Sequence, residues 1–261
     1  MGKDSIGKTI FVALALCIVC SVLVSTAAVN LRPTQNVNKA LDKKRNILQA
    51  AGLMKTGAAM DAGTIDALYQ NIEAKVIDIA SGEYVDVNAT AYDQRRAAKD
   101  PATSVAVAAD KDIASIKRQA KQASVYLVRQ KGKIKKVILP LHGLGLWSTL
   151  YGFIALDAKN LSTIKGLVYY EHAETPGLGG EVDNPTWKAL WNGKEAFNEK
   201  GEVQIEVLKG KVDPSRAGAK YQADGLSGAT ITSRGVSNML QYWLGDAGFG
   251  PYLAKLKERG V

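Results

Sequence analysis

The chain is poor in the two residue types that most often bind metals or cross-link small proteins. Its 261 residues include two Cys and two His, too few for a disulfide-dense scaffold or a four-cysteine metal centre. A His-rich metal centre is disfavoured on the same count, and we predict no metal ligands. The remaining composition, 46% apolar and 23% charged, is that of a globular protein and excludes a disordered chain.

Acidic residues are also in the minority. Lys and Arg number 34 against 25 Asp and Glu, a formal net charge of +9. Such a surplus favours anionic partners such as phosphate groups, lipid head groups or nucleic acid. The basic stretch 81–122, however, lacks the interleaved aromatic residues that single-strand binding requires. We therefore expect no nucleic-acid partner, and we predict a solvated face or mobile insertion for this stretch.

One long apolar run lies near the N-terminus. Residues 10–29 contain no charge, and about 20 apolar residues suffice to cross a bilayer as a helix. This length favours an uncleaved anchor over a cleavable signal peptide, although residues 25–27 are small enough for cleavage. Basic residues flank both ends, so the positive-inside rule does not orient the anchor. Because an N-terminal signal anchor usually exports the domain that it precedes, we expect the main domain outside the cytoplasm.

Two short motifs in this region have ordinary explanations. Residues 2–9 match the Walker A pattern, but that phosphate-binding loop needs a strand before it and an amphipathic helix after it. Here the apolar run follows the motif, so we interpret the match as a coincidence. Cys17 and Cys20 form a C-x-x-C pair inside the apolar run, where small packing residues are expected. A redox or cluster-ligand role for them would need thiolates from another subunit and stays open.

The pattern beyond the anchor predicts an α+β fold. Apolar residues recur at helical spacing over 37–53 and 63–79, and short strands separated by turns begin at residue 124. The predicted strands are 124–130, 134–139, 146–156, 164–171 and 203–208. The later helices are 186–196, capped by Asp183 or Asn184, and 232–244.

Three regions follow from this pattern. We predict an N-terminal tail and transmembrane anchor over residues 1–34 and a membrane-proximal helical and irregular region over 35–123. The third region, 124–261, is predicted to be a mixed or antiparallel sheet that carries helices.

The segment richest in chemistry is 224–233 (DGLSGATITS). Small residues and hydroxyls precede a predicted helix, whose free N–H groups and positive dipole end attract phosphate. Gly228 and Ala229 would let a bulky ligand approach the backbone, and Thr230 places a hydroxyl at the mouth. The alternative is an ordinary capping loop whose N-cap hydroxyl belongs to Ser227, Thr230, Thr232 or Ser233.

Two enzyme-like patterns are weaker. Ser227 lies in a near match to the nucleophile elbow of α/β-hydrolases, but both histidines precede it in the chain, which disfavours a serine hydrolase. Glu171, His172 and Glu174 resemble an acid–base or metal cluster. Alternating side chains of a strand point to opposite faces, so these three need not converge. We expect a structural role for His172.

The glycine pair Gly143 and Gly145 allows two interpretations. Either they are turn glycines, or they let the chain pass close to a flat ligand ring. A dinucleotide-binding fingerprint is excluded, because Ser148 stands where its third glycine belongs. The neighbouring Trp147 is either a core residue or an aromatic surface for such a ring.

Residues 224–230 (DGLSGAT) resemble the flavinylation motif D-G-x-S/T-G/A-A-T of the FMN-binding domain family. In that family a flavin transferase moves FMN from FAD onto the hydroxyl of the last threonine. The resemblance implies a covalent FMN phosphoester on Thr230. It also implies that the transferase recognises Asp224, Ser227, Gly228 and Ala229.

Two further segments resemble the same family. Residues 174–179 (ETPGLG) resemble the loop of this family that lies against the flavin. Residues 143–148 (GLGLWS) resemble a segment of the flavoprotein subunit of Na+-translocating NADH:quinone reductases. The sister subunits of Rnf electron-transport complexes lack the Leu-Trp-Ser signature. The resemblance therefore implies flavin contacts from Glu174, Thr175, Gly177, Leu178, Gly143, Gly145 and Trp147.

The function implied by this resemblance is electron relay within a membrane complex. The chain would carry covalent FMN in a bacterial NADH:ubiquinone reductase coupled to Na+ export, with the anchor among inner-membrane lipids and the domain in the periplasm. Other subunits would bind NADH, quinone and Na+, and a flavin transferase would load the cofactor. The alternatives are an Rnf-type flavoprotein subunit and an anchored module that binds a phosphate ligand non-covalently.

Overall fold

The computed structural model describes residues 5–55 and 60–260, which divide into two compact units, Met1–Lys43 and Lys44–Val261. One long helix, α1 (Ile6–Ala50), contains the residues of the first unit from Ile6 onward. The helix predicted over 37–53 is thus the continuation of α1. Residues 2–4 of the Walker-like motif lie outside the described residues, whereas residues 6–9 belong to α1.

Helix α1 is long and apolar enough to cross a membrane, by length and composition. This confirms the predicted candidate span over residues 10–29. The apolar part of α1 has no buried residues. Cys17 and Cys20 are free thiols exposed on the same helix.

The second unit is built on a six-stranded sheet in which all neighbouring strands are antiparallel, in the order β2-β1-β5-β6-β7-β8. Its strands are β1 (Ile72–Asp78), β2 (Tyr84–Val85), β5 (Gln122–Gln130), β6 (Lys133–Leu144), β7 (Thr149–Asp157) and β8 (Ile164–Glu171). The predicted hairpin of β5 and β6 is confirmed. Lys131 and Gly132 turn it with φ of 51° and 77°, as a tight two-residue hairpin turn requires.

The helix predicted over 63–79 is wrong in its second half. Helix α2 (Ala62–Tyr69) ends early, and the chain continues as β1. Strand β1 pairs with β5 from Ile72↔Val128 to Asp78↔Gln122. The same apolar residues fit a strand, and the unpaired backbone groups of β5 favour the strand because they need partners. The predicted division at residue 123/124 therefore runs through the sheet.

For 81–122 we predicted a solvated face or a mobile insertion; most of the stretch is exposed or half-buried, but it contains regular elements rather than being an irregular insertion. This stretch contains β2, helix α3 (Gln94–Lys99) and a two-stranded ribbon of β3 (Ser104–Ala106) and β4 (Arg118–Ala120). Asp93 caps α3 by accepting hydrogen bonds from the amides of the first turn. The many Asp residues that made the stretch look solvated serve in part as such caps.

The C-terminal part supplies the remaining elements. Helix α4 (Pro185–Ala189) is shorter than predicted and is capped by Asn184, one of the two predicted caps. The strand predicted over 203–208 reduces to β9 (Glu206–Val207), which pairs in parallel with β10 (Gln222–Ala223). Helices α5 (Thr230–Leu244) and α6 (Gly250–Glu258) follow.

The core between the sheet and α5 determines where that helix begins. Val137, Leu139 and Leu141 alternate along β6 and are buried against apolar residues of α5 such as Val236 and Met239. Each such side chain contributes about 1.5–3 kcal/mol by burial, and Leu139→Ala would cost about 2–5 kcal/mol.

A close contact near the C-terminal end of β6 also fixes the position of α5. A Cβ on Gly235 of α5 would lie 2.3 Å from the carbonyl oxygen of Leu144, so the helix approaches the strand too closely for a side chain. The start of α5 is therefore held beside the end of β6.

Candidate functional site

The start of α5 has no side-chain cap. Ala229 occupies the N-cap position and makes no capping hydrogen bond. The predicted alternative, a capping hydroxyl in this loop, is therefore wrong. Without a cap, the N–H groups of the first turn keep their positive partial charge available to an anion.

Thr230 is the first residue of this helix. Its side chain is exposed, as is that of Ser227. Within the described residues neither hydroxyl forms a hydrogen bond, whereas the hydroxyls of Thr232 and Ser233 are buried and engaged. Thr230 is thus the hydroxyl that lies both at the helix start and within reach of a ligand.

The rest of the 224–230 loop is held tightly. The Asp224 carboxylate accepts a hydrogen bond of 2.8 Å from the amide of Val212. A Cβ on Gly225 would lie 2.2 Å from the carbonyl oxygen of Leu208, so only glycine fits there. Gly228 has a φ of 71°, which glycine adopts without strain. Asp224 and the two glycines shape the loop that presents Thr230.

The 174–179 loop lies beside this one. A Cβ on Gly228 would come within 2.8 Å of Leu178 Cδ2. Thr175 and Leu178 are exposed, and Gly177 turns the loop with a φ of 76°. The structure thus brings the two loops together although they are some fifty residues apart in the chain.

The carboxylate of Glu174 is the centre beneath both loops. It is 5% exposed and accepts hydrogen bonds from the backbone amides of Leu146, Trp147 and Ser148 at 2.9–3.2 Å. Three successive amides that converge on one anion form a nest. The Glu174 carboxylate thus fills the turn that follows β6.

A second set of contacts joins this carboxylate to α5. The Thr232 hydroxyl donates a hydrogen bond of 2.7 Å to Glu174 Oε2, and the Ser148 hydroxyl donates one of 3.3 Å to Oε1. Cβ atoms on Gly145 and Gly179 would lie 2.6 Å from the two carboxylate oxygens. These glycines therefore make room for Glu174.

The protonation of Glu174 follows from these contacts. Burial acts to raise its pKa, but the hydrogen bonds from Thr232 and from the amides of residues 146–148 outweigh burial, and the net pKa is lowered. At neutral pH the side chain is therefore a carboxylate, which accepts hydrogen bonds and donates none.

Gly143 and Trp147 have different surroundings. A Cβ on Gly143 would lie 2.9 Å from Met239 Cβ and 3.2 Å from the carbonyl oxygen of Ala114, so this glycine serves close packing. Trp147 is 71% exposed, and Leu146 and Ile231 are exposed as well. Trp147 therefore presents an aromatic surface to solvent beside the Glu174 nest.

The side chains of Glu171, His172 and Glu174 do not converge, as the alternation of side chains along a strand allows. Glu171 forms a bidentate ion pair with Arg95 at 2.6 and 2.8 Å. His172 Nε2 lies 2.9 Å from Asp183 Oδ2, while its Nδ1 accepts from the amide of Glu174. Each of the three side chains thus has a separate set of partners, and His172 has the structural role predicted for it.

The serine hydrolase alternative finds no support in this arrangement. His142 stacks on Tyr151 and lies 4.8 Å from the Trp243 ring, centroid to centroid. Burial lowers the pKa of His142 to about 4, and nearby Arg95 contributes to this lowering. Neither His142 nor His172 forms a hydrogen bond with Ser227 in the described part of the chain.

Sequence reasoning did not identify the partners of Glu174. Thr232 is a candidate cap by its position, and Ser148 belongs to the 143–148 motif, but neither pattern indicates a carboxylate partner. Both hydroxyls are separated from Glu174 by many positions in the chain, so no local pattern relates them. Only the packing of α5 beside the end of β6 brings them together.

The site and its fold define the class of protein. An exposed threonine at an uncapped helix start, bordered by exposed apolar side chains, suits a flavin phosphate and its ring, and residues 145–245 match the FMN-binding domain family. The chain thus contains an FMN-binding domain that follows a candidate membrane helix.

Known proteins define the family. The chain is 51% identical to the NqrC subunit of the Na+-translocating NADH-quinone reductase of Pseudomonas aeruginosa, over 98% of each chain. It is 49% identical to that of Vibrio anguillarum, over 99% of this chain and 98% of the relative. The chain therefore belongs to the NqrC family of Na+-translocating NADH-quinone reductase subunits.

Solved structures agree. The crystal structure of NqrC from Shewanella oneidensis matches with a TM-score of 0.77 and 36% identity, over 85% of this chain and 99% of that one. The corresponding reductase subunit from Parabacteroides distasonis matches with a TM-score of 0.65 and 31% identity, over 85% of this chain and 96% of that one.

Proposed function

We propose that this chain is an electron-relay flavoprotein subunit of a membrane NADH:ubiquinone reductase coupled to Na+ export, with FMN attached to Thr230 as a phosphoester. The exposed, unengaged Thr230 hydroxyl at an uncapped helix start carries the proposal. The names of the relatives support a Na+-translocating reductase over an Rnf-type complex.

The attachment requires a flavin transferase and FAD. The Thr230 oxygen forms a bond to the FMN phosphorus, the bond from that phosphorus to the AMP portion of FAD breaks, and AMP leaves while the hydroxyl proton is released. The reactants and products balance without a change of oxidation state. The transferase would recognise Asp224, Ser227, Gly228 and Ala229 around the acceptor.

The residues of the chain orient the cofactor, whereas the flavin supplies the redox chemistry when bound. The uncapped start of α5 places N–H groups and a positive dipole end beside a phosphate at Thr230. Trp147, Leu178 and Ile231 offer exposed apolar surface to the ring. Thr175 and Gly177 border this surface, while Gly143, Gly145 and Glu174 shape it from beneath.

The proposed location is the bacterial inner membrane. Helix α1 would cross it once among lipids and place the main domain in the periplasm, where the covalent bond prevents loss of the cofactor. The NADH, quinone and Na+ sites would lie on partner subunits.

Denaturing gels test the attachment. The full chain is produced in a host with an active flavin transferase, and flavin fluorescence of its band is recorded together with the intact mass. We expect a fluorescent band that disappears in Thr230→Ala. The matched control is Thr186→Ala, which removes an exposed threonine hydroxyl outside the 224–230 motif and should retain covalent flavin. Fluorescence that persists in Thr230→Ala would contradict the assignment.

Thiol labelling tests the location. Lys200→Cys adds an exposed thiol to the main domain, in a background where Cys17 and Cys20 are replaced by Ala. An impermeant maleimide should label this variant in cells with a permeabilised outer membrane. Labelling that requires disruption of the inner membrane would place the domain in the cytoplasm instead.

A further inference from the structure

Glu174 stands out because of where its charge lies. It is the one charged residue among the buried polar residues of the described chain, and no salt bridge involves it there. Burying an unpaired carboxylate is costly unless hydrogen bonds compensate. The charge is compensated by dipoles, since backbone amides and two hydroxyls surround it.

These donors leave little capacity for a ligand. A carboxylate offers about four lone-pair positions, and Glu174 already accepts from three amides and two hydroxyls. An ionised carboxylate has no proton to donate to a flavin carbonyl. Direct flavin binding, the role first predicted for Glu174, is therefore disfavoured.

Its contacts join three segments that border the acceptor. They are the 145–148 turn with the exposed Trp147, the segment that leads into the 174–179 loop, and the first turn of α5. Thr232, the contact on α5, lies two residues after Thr230. Glu174 thus links the aromatic surface to the acceptor hydroxyl through side-chain contacts, in addition to the packing of α5 against β6.

We propose that Glu174 is a positioning residue: its buried carboxylate holds the 145–148 turn and the first turn of α5 in the arrangement that accepts FMN, and its negative charge lowers the reduction potential of the flavin held there. This inference rests on the proposed function. The electrostatic part follows because a fixed negative charge disfavours the addition of electrons nearby.

The first test uses the full chain without flavin. Hydrogen exchange is measured at the amides of residues 146–148 in Glu174→Gln, which removes the charge and introduces an amide donor. We expect exchange about tenfold or more faster, since hydrogen bonds to charged groups contribute about 1.5–3 kcal/mol. The control is Glu181→Gln, a nearby carboxylate that accepts from the Asn184 side chain and should leave these amides unchanged.

The second test uses purified transferase and FAD. We expect the initial rate of flavin attachment to fall several-fold in Glu174→Gln and to stay at the wild-type value in Glu181→Gln. The small amount of flavinylated Glu174→Gln should show a higher reduction potential than wild type. Glu174→Asp, which keeps the charge, should recover the potential better than the Gln variant does.

Each outcome separates the claims. Unchanged amide exchange would overturn the positioning role. If amide exchange is faster but the attachment rate and the reduction potential stay at the wild-type values, Glu174 is a purely structural residue, and the proposal is overturned as well. If the wild type takes no FMN at Thr230, the proposed function fails, and the exchange data still report on the Glu174 contacts. If Glu174→Gln does not fold, Thr232→Val takes its place. It removes one donor to the carboxylate, so amide exchange and the attachment rate should change in the same direction, and it keeps the charge, so the potential should stay near the wild-type value.

Discussion

Thr230 and Thr232 are the same residue type in the same turn of α5, and their surroundings are opposite. Thr230 is exposed, and its hydroxyl forms no hydrogen bond within the described residues. Thr232 is 0% exposed and donates a hydrogen bond of 2.7 Å to Glu174. Two residues along a helix rotate the side chain by about 200°, enough to move it from solvent into the core.

The same contrast extends over the whole site, which has a rim and a floor. The rim consists of the exposed residues Trp147, Leu178, Ser227, Thr230 and Ile231. The floor consists of Gly145, Ser148, Glu174, Thr232 and Ser233, which contact one another or the backbone beneath the rim. Changes to the floor should therefore affect stability as well as the flavin, whereas changes to the rim should affect flavin attachment and environment with little effect on stability.

The largest difference in stability is expected between substitutions of two glycines. Gly145→Ala places a Cβ 2.6 Å from Glu174 Oε1, so the carboxylate must leave its amides, at a cost of about 3 kcal/mol. Gly177→Ala, at the edge of the rim, meets no atom within 4 Å and carries only the strain of its positive φ, about 1 kcal/mol. Urea unfolding of both variants measures the difference. Equal costs would break the distinction between floor and rim.

The two threonines provide the next comparison. Thr232→Val keeps the shape of the side chain but removes a donor to a buried carboxylate, and should lower the free energy of unfolding by about 1–3 kcal/mol. Thr230→Val removes an exposed hydroxyl and should change the stability of the flavin-free protein by less than about 0.5 kcal/mol. Chemical denaturation of each variant beside wild type checks both values. A stability loss in Thr230→Val would show that its hydroxyl has an internal partner.

Acid should weaken the floor through the protonation of Glu174. The folded-state pKa of Glu174 lies below its ordinary value of 4.5, so its contribution to stability is fully present above that value and is lost as the pH falls through the folded pKa. The stability difference between wild type and Glu174→Gln should therefore shrink as the pH falls below about 4.5. Denaturation from about pH 7 to about pH 3 measures it. A difference that stays constant would mean that the charge of Glu174 does not contribute.

The smallest effect on stability is expected for Trp147→Ala. Because the side chain is 71% exposed, its removal should alter the free energy of unfolding by less than about 0.5 kcal/mol. The absorption spectrum of the attached flavin should nevertheless shift, since the ring loses an aromatic neighbour. An unchanged spectrum would show that Trp147 does not contact the flavin ring.

Much of the fold was predictable where local signals agree with the tertiary context. The β5–β6 hairpin, strand β8 and helix α5 follow from apolar alternation, turn glycines and helical spacing. The helical spacing of residues 63–79 holds only as far as α2, because Ile72 and Val76 also share one face of a strand and the pairing with β5 decides in favour of the strand. The regular elements of 81–122 were not predicted, because its many polar residues conceal capping contacts and a short ribbon.

The site was predictable in part. The resemblance of residues 224–230 to a known motif implies Thr230 as the acceptor, and its hydroxyl lies at an exposed, uncapped helix start. The role of Glu174 was not predictable, since its donors come from residues 146–148 and from Thr232, far away in the chain. Whether flavin is attached to Thr230 remains a prediction.

The amino-acid sequence by itself determined the candidate membrane helix, the strand and helix periods and the small residues of the 224–230 loop, because these depend on neighbours in the chain. Only the tertiary structure decided which hydroxyl faces solvent and which faces a carboxylate. The physical reason is that burial and hydrogen bonding around Glu174 depend on segments that meet only when α5 packs against β6.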